Sequence, residues 1–498
     1  MLRFVSSVVL LLSFVSVNSA CAEAQTRQRR GATGADGSGQ RAASSSRFPG
    51  ANVCAKIQAA IDSLGAAGGT VTADAAGDCG PASQVRVRAG VTLRLPPGEF
   101  TYSMRGYGGN VDGKPNAVGA LFLLDSDSTL EGSGPSTVIR ESSWLHSTLS
   151  EAEQRGAISN GEYISTFKVI MPTADARAQG STARNITVRN LKVARGKPDG
   201  PGSFNSAGGA LDLGNCHGCL IENVHFDRVR SIGAHIGSNP THGQDPGFDL
   251  AARGVTAPLG RYADGVVTRN CFFDGVASQN WALVNGRNIV LENSRFVRPG
   301  QVDNPGTPRE VIGPGSTMID VEPNHPGDYL ENVRIVNNQL NALGSPLPSS
   351  GNGIVVQATS GTVRVGPILI EGNEIVGGGM DDWHGTRLLR NIMSNGIYIF
   401  GPTMKDVTVR NNRITRTGQA GINIEGTRVH ILDNQLTDVG GGGNAGFLLT
   451  RVVDSRIEGN AFNYTGSGPA DSRILMTAGT RNNTFRNNRG FSPPEQKP

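Results

Sequence analysis

The 498-residue chain has few aromatic residues, a nearly cancelled charge and no apolar segment of membrane-spanning length beyond its N-terminus. Aromatic residues make up only 5% of the chain, while glycine occurs 68 times without a three-residue period, which excludes collagen. The 46 basic and 42 acidic residues leave a net charge of +4, a balance that argues against a nucleic-acid-binding protein. The absence of a later apolar run predicts no transmembrane span.

The N-terminal residues predict export. Phe4–Val17 is an apolar core of signal-peptide length, and small residues follow it, so residues 1–24 are expected to be a signal peptide. The adjoining Ser-Ala-Cys sequence leaves lipid attachment at Cys21 as an alternative. Residues 25–47 are rich in Arg, Gly, Ala and Ser and predict a disordered linker. We therefore expect a secreted or periplasmic protein.

Nine stretches repeat one phrase, apolar-x-apolar-x-(Asn/Gly/Asp)-x-x-apolar. Clear copies are Ile186–Val193, Val333–Leu340, Val407–Ile414 and Val429–Leu436. The alternation marks one buried face of a short strand, and the Asn or Gly marks a bend because both residues tolerate positive φ. A short unit of fixed period cannot bury its own core and must stack on its copies. The predicted fold is all-β, a parallel β-helix solenoid.

The spacing of the copies locates loops. A base coil of about 22 residues with variable insertions accounts for the spacings between copies. Three longer spacings place insertions near residues 238–263, 299–316 and 377–394. Insertions in repeat proteins tend to collect on the binding face.

A helix is predicted over Cys54–Leu64, with Asn52 as N-cap, and it is expected to cover the open end of the stack. We expect this cap and early coils over residues 48–183, regular coils over 184–489 and a loose tail over 490–498.

Two pairs of cysteines can be interpreted from their positions. Cys54 and Cys79 flank one helix-and-strand unit and are predicted to form a disulfide, which export permits. Cys216 and Cys219 have the spacing of half a zinc site, but no second such pair exists, so a turn is predicted with zinc as the alternative.

Aligned repeats predict ladders of like positions. The amides of one set are expected to bond along the stack inside the helix: Asn338, Asn373, Asn412, Asn434, Asn460 and Asn488. An outward set alternates in sign and predicts a salt-bridge ladder: Arg189, Glu222, Arg269 and Glu292. A further outward set leaves open binding of an anionic polymer or simple surface decoration: Lys192, His225, Phe272 and Arg295.

A second strand in each coil carries polar residues outward. Its outward positions are Asp212, His235, Leu283, Asp320, Val355, Tyr398 and Asn423. The next outward positions include Asn285, Glu322, Gln357 and Glu425. Acids, an imidazole and amides on the floor of a groove between insertions are what acid–base chemistry on sugars requires. The alternative is that these side chains only cap turns on a solvated face.

The insertion at Met380–Gly385 is a second candidate site. It joins two acids, including Asp382, to Trp383, whose ring suits stacking on a sugar, and to a histidine. An ordinary polar loop is the alternative. His242 and Asp245 in another insertion are weaker candidates for lining the same cleft.

The repeats resemble those of the pectate-lyase-like superfamily over roughly residues 184–489. The Cys54–Val71 segment looks like the N-terminal capping segment of its pectate-lyase-3 type, and Ile319-Asp-Val-Glu-Pro-Asn324 looks like a pattern of many bacterial secreted and phage-tail β-helices. The resemblance implies a single-stranded right-handed parallel β-helix with a short N-terminal capping helix. It implies no one activity, since the superfamily holds lyases, hydrolases, epimerases and non-catalytic members.

The chain departs from the catalytic patterns of several members. The polygalacturonase motifs are absent in their order, and the Trp-Ile-Asp-His element of calcium pectate lyases is missing. The Asp-Pro-His-Glu motif of alginate epimerases is missing too, although Glu322-Pro-Asn-His325 is a distant echo. No specific polysaccharide is therefore predicted.

The function predicted from these features is an exported enzyme that cleaves an acidic polysaccharide, as a polysaccharide lyase or a glycoside hydrolase. In a lyase, His235 oriented by Asp212 would be the base, and Asn285, or calcium held by Asp320 and Glu322, would neutralise the substrate carboxylate. In a hydrolase, the last two residues would be the acid and base. A non-catalytic glycan-binding or adhesion β-helix and a uronan C5-epimerase remain alternatives. Calcium is a possible cofactor.

The predicted substrate-binding residues are Asn285, Tyr398, Asn423, Trp383 and Asp382.

Overall fold

The chain winds through three columns of paired parallel strands, which we call the first, second and third sheets. One coil passes through Trp281–Leu283, Gly286–Glu292 and Arg295–Val297 before Ile319–Val321 begins the next coil. The computed structural model describes residues 41–81, 83–103, 110–111, 114–115, 118–141, 166–173, 182–195, 209–229, 232–237, 262–276, 278–299, 317–323, 328–343, 351–358, 364–378, 394–441, 445–466 and 470–496. The predicted single parallel β-helix is confirmed.

The strands of the first sheet are Val85–Val87, Val118–Leu124, Thr166–Pro172, Gly209–Gly214, Ile232–Ile236, Trp281–Leu283, Ile319–Val321, Ile354–Gln357, Asn395–Phe400, Ala420–Leu432, Ala445–Val453, Ile474–Met476 and Glu495–Gln496. The second sheet contains Ala42–Ser44, Gly69–Thr72, Val91–Arg94, Thr129–Glu131, Thr187–Ala194, Leu220–Asp227, Val267–Arg269, Gly286–Glu292, Tyr329–Val336, Ile368–Glu371, Lys405–Arg410, Arg456–Glu458 and Thr484–Arg486, with Ala263–Asp264 and Arg364–Val365 beside it. The third sheet contains Asp78–Pro81, Gly98–Ser103, Thr137–Arg140, Phe272–Asp274, Arg295–Val297, Gln339–Asn341, Glu374–Val376, Arg413–Thr415, Gln435–Thr437 and Ala461–Asn463. Three long strands continue from one sheet into the next at a bend, namely Thr187–Ala194, Leu220–Asp227 and Ala420–Leu432. A small antiparallel pair joins Asn110–Val111 to Lys114–Pro115.

One α-helix, Val53–Ser63, begins at Asn52, whose side chain accepts a hydrogen bond from the Ala55 amide at 2.8 Å. It packs on the first coil, where the Arg86 amide donates to the Gln58 side chain at 2.7 Å. Its buried apolar side chains join the core of the stack, as predicted for a capping helix. Short 3₁₀ helices at Ser45–Arg47 and Gly65–Ala67 flank it. Among the residues that the structure describes, no helix is long and apolar enough to cross a membrane.

The regular coils begin well before residue 184. Gly69–Thr72, Val91–Arg94, Thr129–Glu131 and Thr187–Ala194 pair successively in the second sheet. Early coils were predicted here, and the structure shows that their strands pair in the same second sheet as the later coils.

Both ends of the solenoid are more ordered than predicted. Ala42–Ser44 pairs with the first coil, so the end of the segment predicted as a disordered linker belongs to the fold. At the other end, Glu495–Gln496 pairs with Ile474–Met476, and the Phe491 ring stacks on that of Phe447 with centroids 4.6 Å apart. The tail predicted to be loose is therefore attached. Each segment covers the outermost coil, whose strand edge and core would otherwise be open.

The interior is apolar and the turns are built from residues in the left-handed region. Rings of Phe226, Phe273 and Phe296 stack along the axis at 4.6 Å between centroids. The predicted bends have positive φ, for example 57° at Asn190 and 66° at Gly372. A Cβ atom on this glycine would also lie 2.4 Å from a side-chain oxygen of the preceding coil, so the position favours glycine twice over.

The predicted asparagine ladder is confirmed. The Nδ2 atom of Asn412 donates to Oδ1 of Asn434 at 2.9 Å and to the carbonyl of Ile370 at 3.0 Å. Its own Oδ1 accepts from the amide and Nδ2 of Asn373 at 2.9 and 3.0 Å. The same pattern joins Asn338, Asn373, Asn412, Asn434, Asn460 and Asn488. These buried amides satisfy one another and fix the register between coils.

The predicted charge ladder forms in pairs. Arg269 donates to Glu222 at 2.7 Å, as expected, whereas Arg189 lies 3.2 Å from Glu131 of the preceding coil. These half-exposed pairs contribute little to stability.

The cysteines form two disulfides. Cys54 and Cys79 are bonded, with Cα atoms 4.9 Å apart, as predicted. Cys216 and Cys219 are also bonded, so this sequence closes a turn as a disulfide and its thiols hold no zinc. Cys271 is free and buried, and burial raises the pKa of its thiol to about 12.

Candidate functional site

One row of paired positions on the first sheet carries several of the side chains predicted for the site. Paired positions run Asp212, His235, Ala282, Asp320, Val355, Tyr398 and Asn423. The prediction placed Leu283 in this row, which is wrong: that side chain is fully buried and pairs with Val321. The repeat around Trp281 is weak, and an insertion follows its coil. The sequence alone therefore did not decide whether Ala282 or Leu283 points outward. A one-residue slip moves a side chain to the opposite face of a strand.

A second outward position follows two residues later in each strand. Glu322 directly follows Ile319–Val321. Gln357 in the next coil pairs with Phe400 in the coil after it. Asn285 does not share this position as predicted. It lies at the turn before Gly286–Glu292, is 1% exposed, and its carbonyl accepts from the Ala263 amide at 3.1 Å. Its depth argues against the predicted contact with substrate.

The carboxyl groups of Asp320 and Glu322 share two amide donors. Nε2 of Gln279, from the preceding coil, lies 2.8 Å from Oδ2 of Asp320 and 2.5 Å from Oε1 of Glu322. Nε2 of Gln357, from the following coil, lies 2.9 Å from Oε2 of Glu322 and 3.5 Å from Oδ1 of Asp320. The two acids therefore form one hydrogen-bonded group that spans three coils.

The environment keeps a proton on Asp320. Its side chain is buried, and desolvation together with the negative charge of Glu322 raises its pKa to about 8, against the opposing hydrogen bond from Gln279. A pKa above neutrality favours the protonated carboxyl group of Asp320 near neutral pH. Two neighbouring carboxyl groups with separated protonation states are the arrangement found in acid–base catalysis.

A second polar cluster lies two coils away on the same row. Nδ1 of His235 lies 3.1 Å from Oδ2 of Asp212, and Nζ of Lys168 lies 3.7 Å from the same oxygen. Burial acts to raise the pKa of Asp212, but the charge and hydrogen bond of His235 and the charge of Lys168 outweigh it and lower this pKa to about 2. The Gly214 amide also donates to the carboxylate at 2.8 Å. An ionised Asp212 holds the imidazole with Nδ1 as donor, which leaves Nε2 as the basic atom.

The two clusters are separated by one small residue. Ala282 pairs with His235 on one side and with Asp320 on the other. Because paired strands lie about 4.8 Å apart, the backbones of His235 and Asp320 are about 9.6 Å apart along the axis. Both clusters therefore lie on the same face of the first sheet.

An aromatic pair lies further along the same row, on the other side of the acid pair from His235. Tyr398 and Phe400 stand two residues apart on Asn395–Phe400, and their ring centroids are 4.6 Å apart. Asn423 pairs with Tyr398 in the next coil and is half-buried.

Several predicted site residues lie outside the described part of the chain. These are Trp383, Asp382, His242 and Asp245. Each of the three predicted insertions adjoins a strand of the row in the sequence: residues 238–261 follow Ile232–Ile236, residues 300–316 precede Ile319–Val321, and residues 379–393 precede Asn395–Phe400.

Sequence reasoning missed Lys168 and Gln279. Lys168 lies on Thr166–Pro172, whose register with Gly209–Gly214 could have extended the alignment by one coil. Gln279 lies just before Trp281–Leu283, and no repeat pattern points to it.

The acid pair does not fit the calcium site that was predicted. Calcium takes about six to eight oxygen ligands, whereas here amide N–H donors occupy the carboxyl oxygens of Asp320 and Glu322. This arrangement holds a proton. Another group of three metal-type side chains lies on the third sheet, His225, Asp227 and Asp274. Its acids are already paired with cations, for example Asp274 with Arg298 at 2.7 Å.

Comparisons with known proteins agree with this architecture. A family model described as "Right handed beta helix region" matches residues 331–492. The A-module of mannuronan C-5 epimerase AlgE4 from Azotobacter vinelandii is 16% identical, with 92% of this chain and 97% of that chain covered and a TM-score of 0.51. The A-module of mannuronan C-5 epimerase AlgE6 from the same organism is 17% identical, with 92% of this chain and 99% of that chain covered and a TM-score of 0.52. A hyperthermoactive exopolygalacturonase from Thermotoga maritima is 12% identical, with 80% of this chain and 87% of that chain covered and a TM-score of 0.53.

No curated protein sequence matches the chain. At these identities the similar structures show the fold alone. The paired columns of strands, the asparagine ladder and the family match together identify the chain as a right-handed parallel β-helix protein.

Proposed function

We propose that this protein is a carbohydrate-active enzyme that hydrolyses glycosidic bonds of a polysaccharide bound along the outward row of the first sheet. The observation that carries the proposal is the pair of Asp320 and Glu322, one protonated by its surroundings and both held by Gln279 and Gln357. Hydrolysis of a glycosidic bond needs one carboxylic acid and one carboxylate at short distance.

The spacing of the pair favours a retaining reaction. One amide nitrogen bonds an oxygen of each carboxyl group, at 2.8 and 2.5 Å, so the two groups are closer than the about 6.5–9.5 Å that inverting enzymes use. Asp320 would protonate the leaving oxygen while Glu322 attacks the anomeric carbon and forms a glycosyl ester. Asp320 as carboxylate would then take a proton from water, and the resulting hydroxide would displace Glu322.

The surroundings of the pair support a polymeric sugar substrate. The outward row extends over seven coils from Asp212 to Asn423, and insertions attach at its strands. Similar folds include proteins named as a mannuronan epimerase and an exopolygalacturonase. The two disulfides support an oxidising, extracytoplasmic location.

A second candidate function is β-elimination on an acidic polysaccharide, favoured by the contact of His235 with Asp212. In that reaction Nε2 of His235 would remove the proton next to the uronate carboxyl group, and the bond to the neighbouring sugar oxygen would break. Nζ of Lys168, 3.7 Å from the Asp212 carboxylate that His235 contacts, is a cation beside this pair. C5-epimerisation would share the first step and return the proton to the opposite face.

One experiment separates these functions. Purified protein is incubated with polygalacturonate, polymannuronate, xylan and inulin, while reducing ends and the ultraviolet absorbance of unsaturated uronates are followed together. Reducing ends without absorbance are expected, with loss in Asp320→Asn and Glu322→Gln. Glu374→Gln, an exposed carboxyl on the third sheet, is the matched control and should retain activity.

The other outcomes contradict the proposal in different ways. New absorbance that is lost in His235→Ala would replace hydrolysis by elimination. Hydrolysis that persists in Asp320→Asn would remove the acid role of this residue. Silence in both assays would favour a glycan-binding protein or an epimerase, which product analysis of the polymannuronate distinguishes.

A further inference from the structure

We propose that Tyr398 and Phe400 form a sugar-stacking platform two coils from the acid pair, so that efficient substrates are chains spanning at least three sugar units. This inference rests on the proposed function, because it takes the acid pair as the point of cleavage. It names a class of substrate, extended chains with an apolar sugar face, which the acid pair does not define.

The platform repeats the geometry of the acid pair. Asp320 pairs with Val355, which pairs with Tyr398. The first acid and the first ring therefore occupy the same strand position two coils apart. Phe400 pairs with Gln357, which bonds Glu322, so the second acid and second ring correspond as well. Residues two apart on a strand share a face, and both pairs therefore lie on the same face of the first sheet.

The separation suits a chain of sugars. Two coils correspond to about 9.6 Å along the axis, which is about the length of a disaccharide. A chain lying along the axis places one sugar at the acid pair, one over Val355 and Gln357, and one at the rings. Val355 lies between the two pairs in this row and has a short side chain.

The chemistry of the platform matches a sugar ring. Tyr398 and Phe400 are half-buried and stacked on each other, and they add aromatic surface to a row whose other members are polar or short aliphatic side chains. The C–H face of a pyranose binds such rings, while its hydroxyl groups need polar partners at the side. Asn423 lies in the next coil beside Tyr398 and supplies an amide. Glu425, held by Arg451 at 2.8 Å, follows on the same strand face.

The test combines binding with cleavage. Wild type, the double variant Tyr398→Ala with Phe400→Ala, and Tyr398→Phe are run in native gels containing polygalacturonate or xylan, and KM and kcat are measured on whichever polymer is cleaved. Tyr464→Ala is the matched control, because that ring is 59% exposed and lies away from the row. Circular dichroism confirms that each variant is folded.

The expected result is a split between KM and kcat. The double variant should bind the polymer about tenfold more weakly and show a similar rise in KM, with kcat and the KM for the shortest cleaved oligosaccharide nearly unchanged. Tyr464→Ala should behave as wild type, and Tyr398→Phe, which keeps an aromatic ring, should bind the polymer more tightly than the double variant. Equal retardation of the double variant and wild type, or no retardation of wild type in either gel, would overturn the platform.

Failure of the proposed function gives a different pattern. Asp320→Asn should bind as wild type and not cleave. If it cleaves at the wild-type rate, the acid pair is not the point of cleavage, whereas weaker binding by the double variant would still support the platform. If it does not cleave and the double variant binds normally, only the platform is refuted.

Discussion

Replacing Asp320 by Asn should remove a pH dependence of stability that the wild type has. The carboxyl group is buried beside Glu322, and these surroundings raise its pKa from 3.8 to about 8. Asparagine has the same shape and cannot ionise. The substitution therefore isolates the cost of charging one buried acid.

The sign follows from proton binding in the folded and unfolded states. Below the ordinary pKa, both states hold the proton and pH has no effect through this group. Between the ordinary and the raised pKa, the folded state keeps a proton that the unfolded chain has released, so the free energy of unfolding falls as pH rises. The slope is at most about 1.4 kcal/mol per pH unit, and the loss ends once pH passes the raised value.

The assay is urea unfolding followed by circular dichroism at several pH values, for wild type and Asp320→Asn. The stability of the variant relative to wild type should increase with pH across this window. The lowered pKa of Asp212 stabilises the fold above pH 3.8, and this contribution is lost as pH falls through about 2. Both proteins contain Asp212, so its contribution cancels in the difference between their free energies of unfolding. A constant difference across the window would refute the reasoning. Glu374→Gln is the control and should follow wild type.

Three further outcomes are expected. Hydrolysis should slow as pH rises through the raised pKa of Asp320, because the proton donor is lost; a pH–rate profile without this limb would contradict its role. Asn412→Ala should destabilise the fold by about 1–3 kcal/mol in urea unfolding, because it leaves buried ladder partners unsatisfied, whereas the exposed Gln435→Ala should have little effect. Replacing Cys54 and Cys79 together by Ser should cost about 3 kcal/mol, measured the same way, since the bond closes a loop of 25 residues; an unchanged midpoint would contradict this.

The repeated phrase was enough to predict the coils and their ladder. Each copy places apolar residues inward and an Asn, Gly or Asp at the bend, and the residue after the bend recurs as Asn. Asn338 and Asn412 could therefore be assigned the same role without knowledge of the fold. The placing of Asp320 and Glu322 on one outward face followed from the two-residue period of a strand.

Register across irregular coils could not be predicted in the same way. Leu283 was placed in the outward row where Ala282 lies, because insertions before and after this coil interrupt the repeat and weaken the alignment. Asn285 was misplaced for the same reason and is buried at a turn.

The sequence by itself determined the solenoid, the strands, the capping helix and the approximate row of polar side chains, because these depend on patterns within one coil. Only the tertiary structure decided which groups meet. Gln279 reaches Glu322 across 43 positions of sequence, and Lys168 reaches Asp212 from a strand of the preceding coil. Such contacts, and the burial that holds the proton on Asp320, depend on how separate coils stack, which no local pattern records.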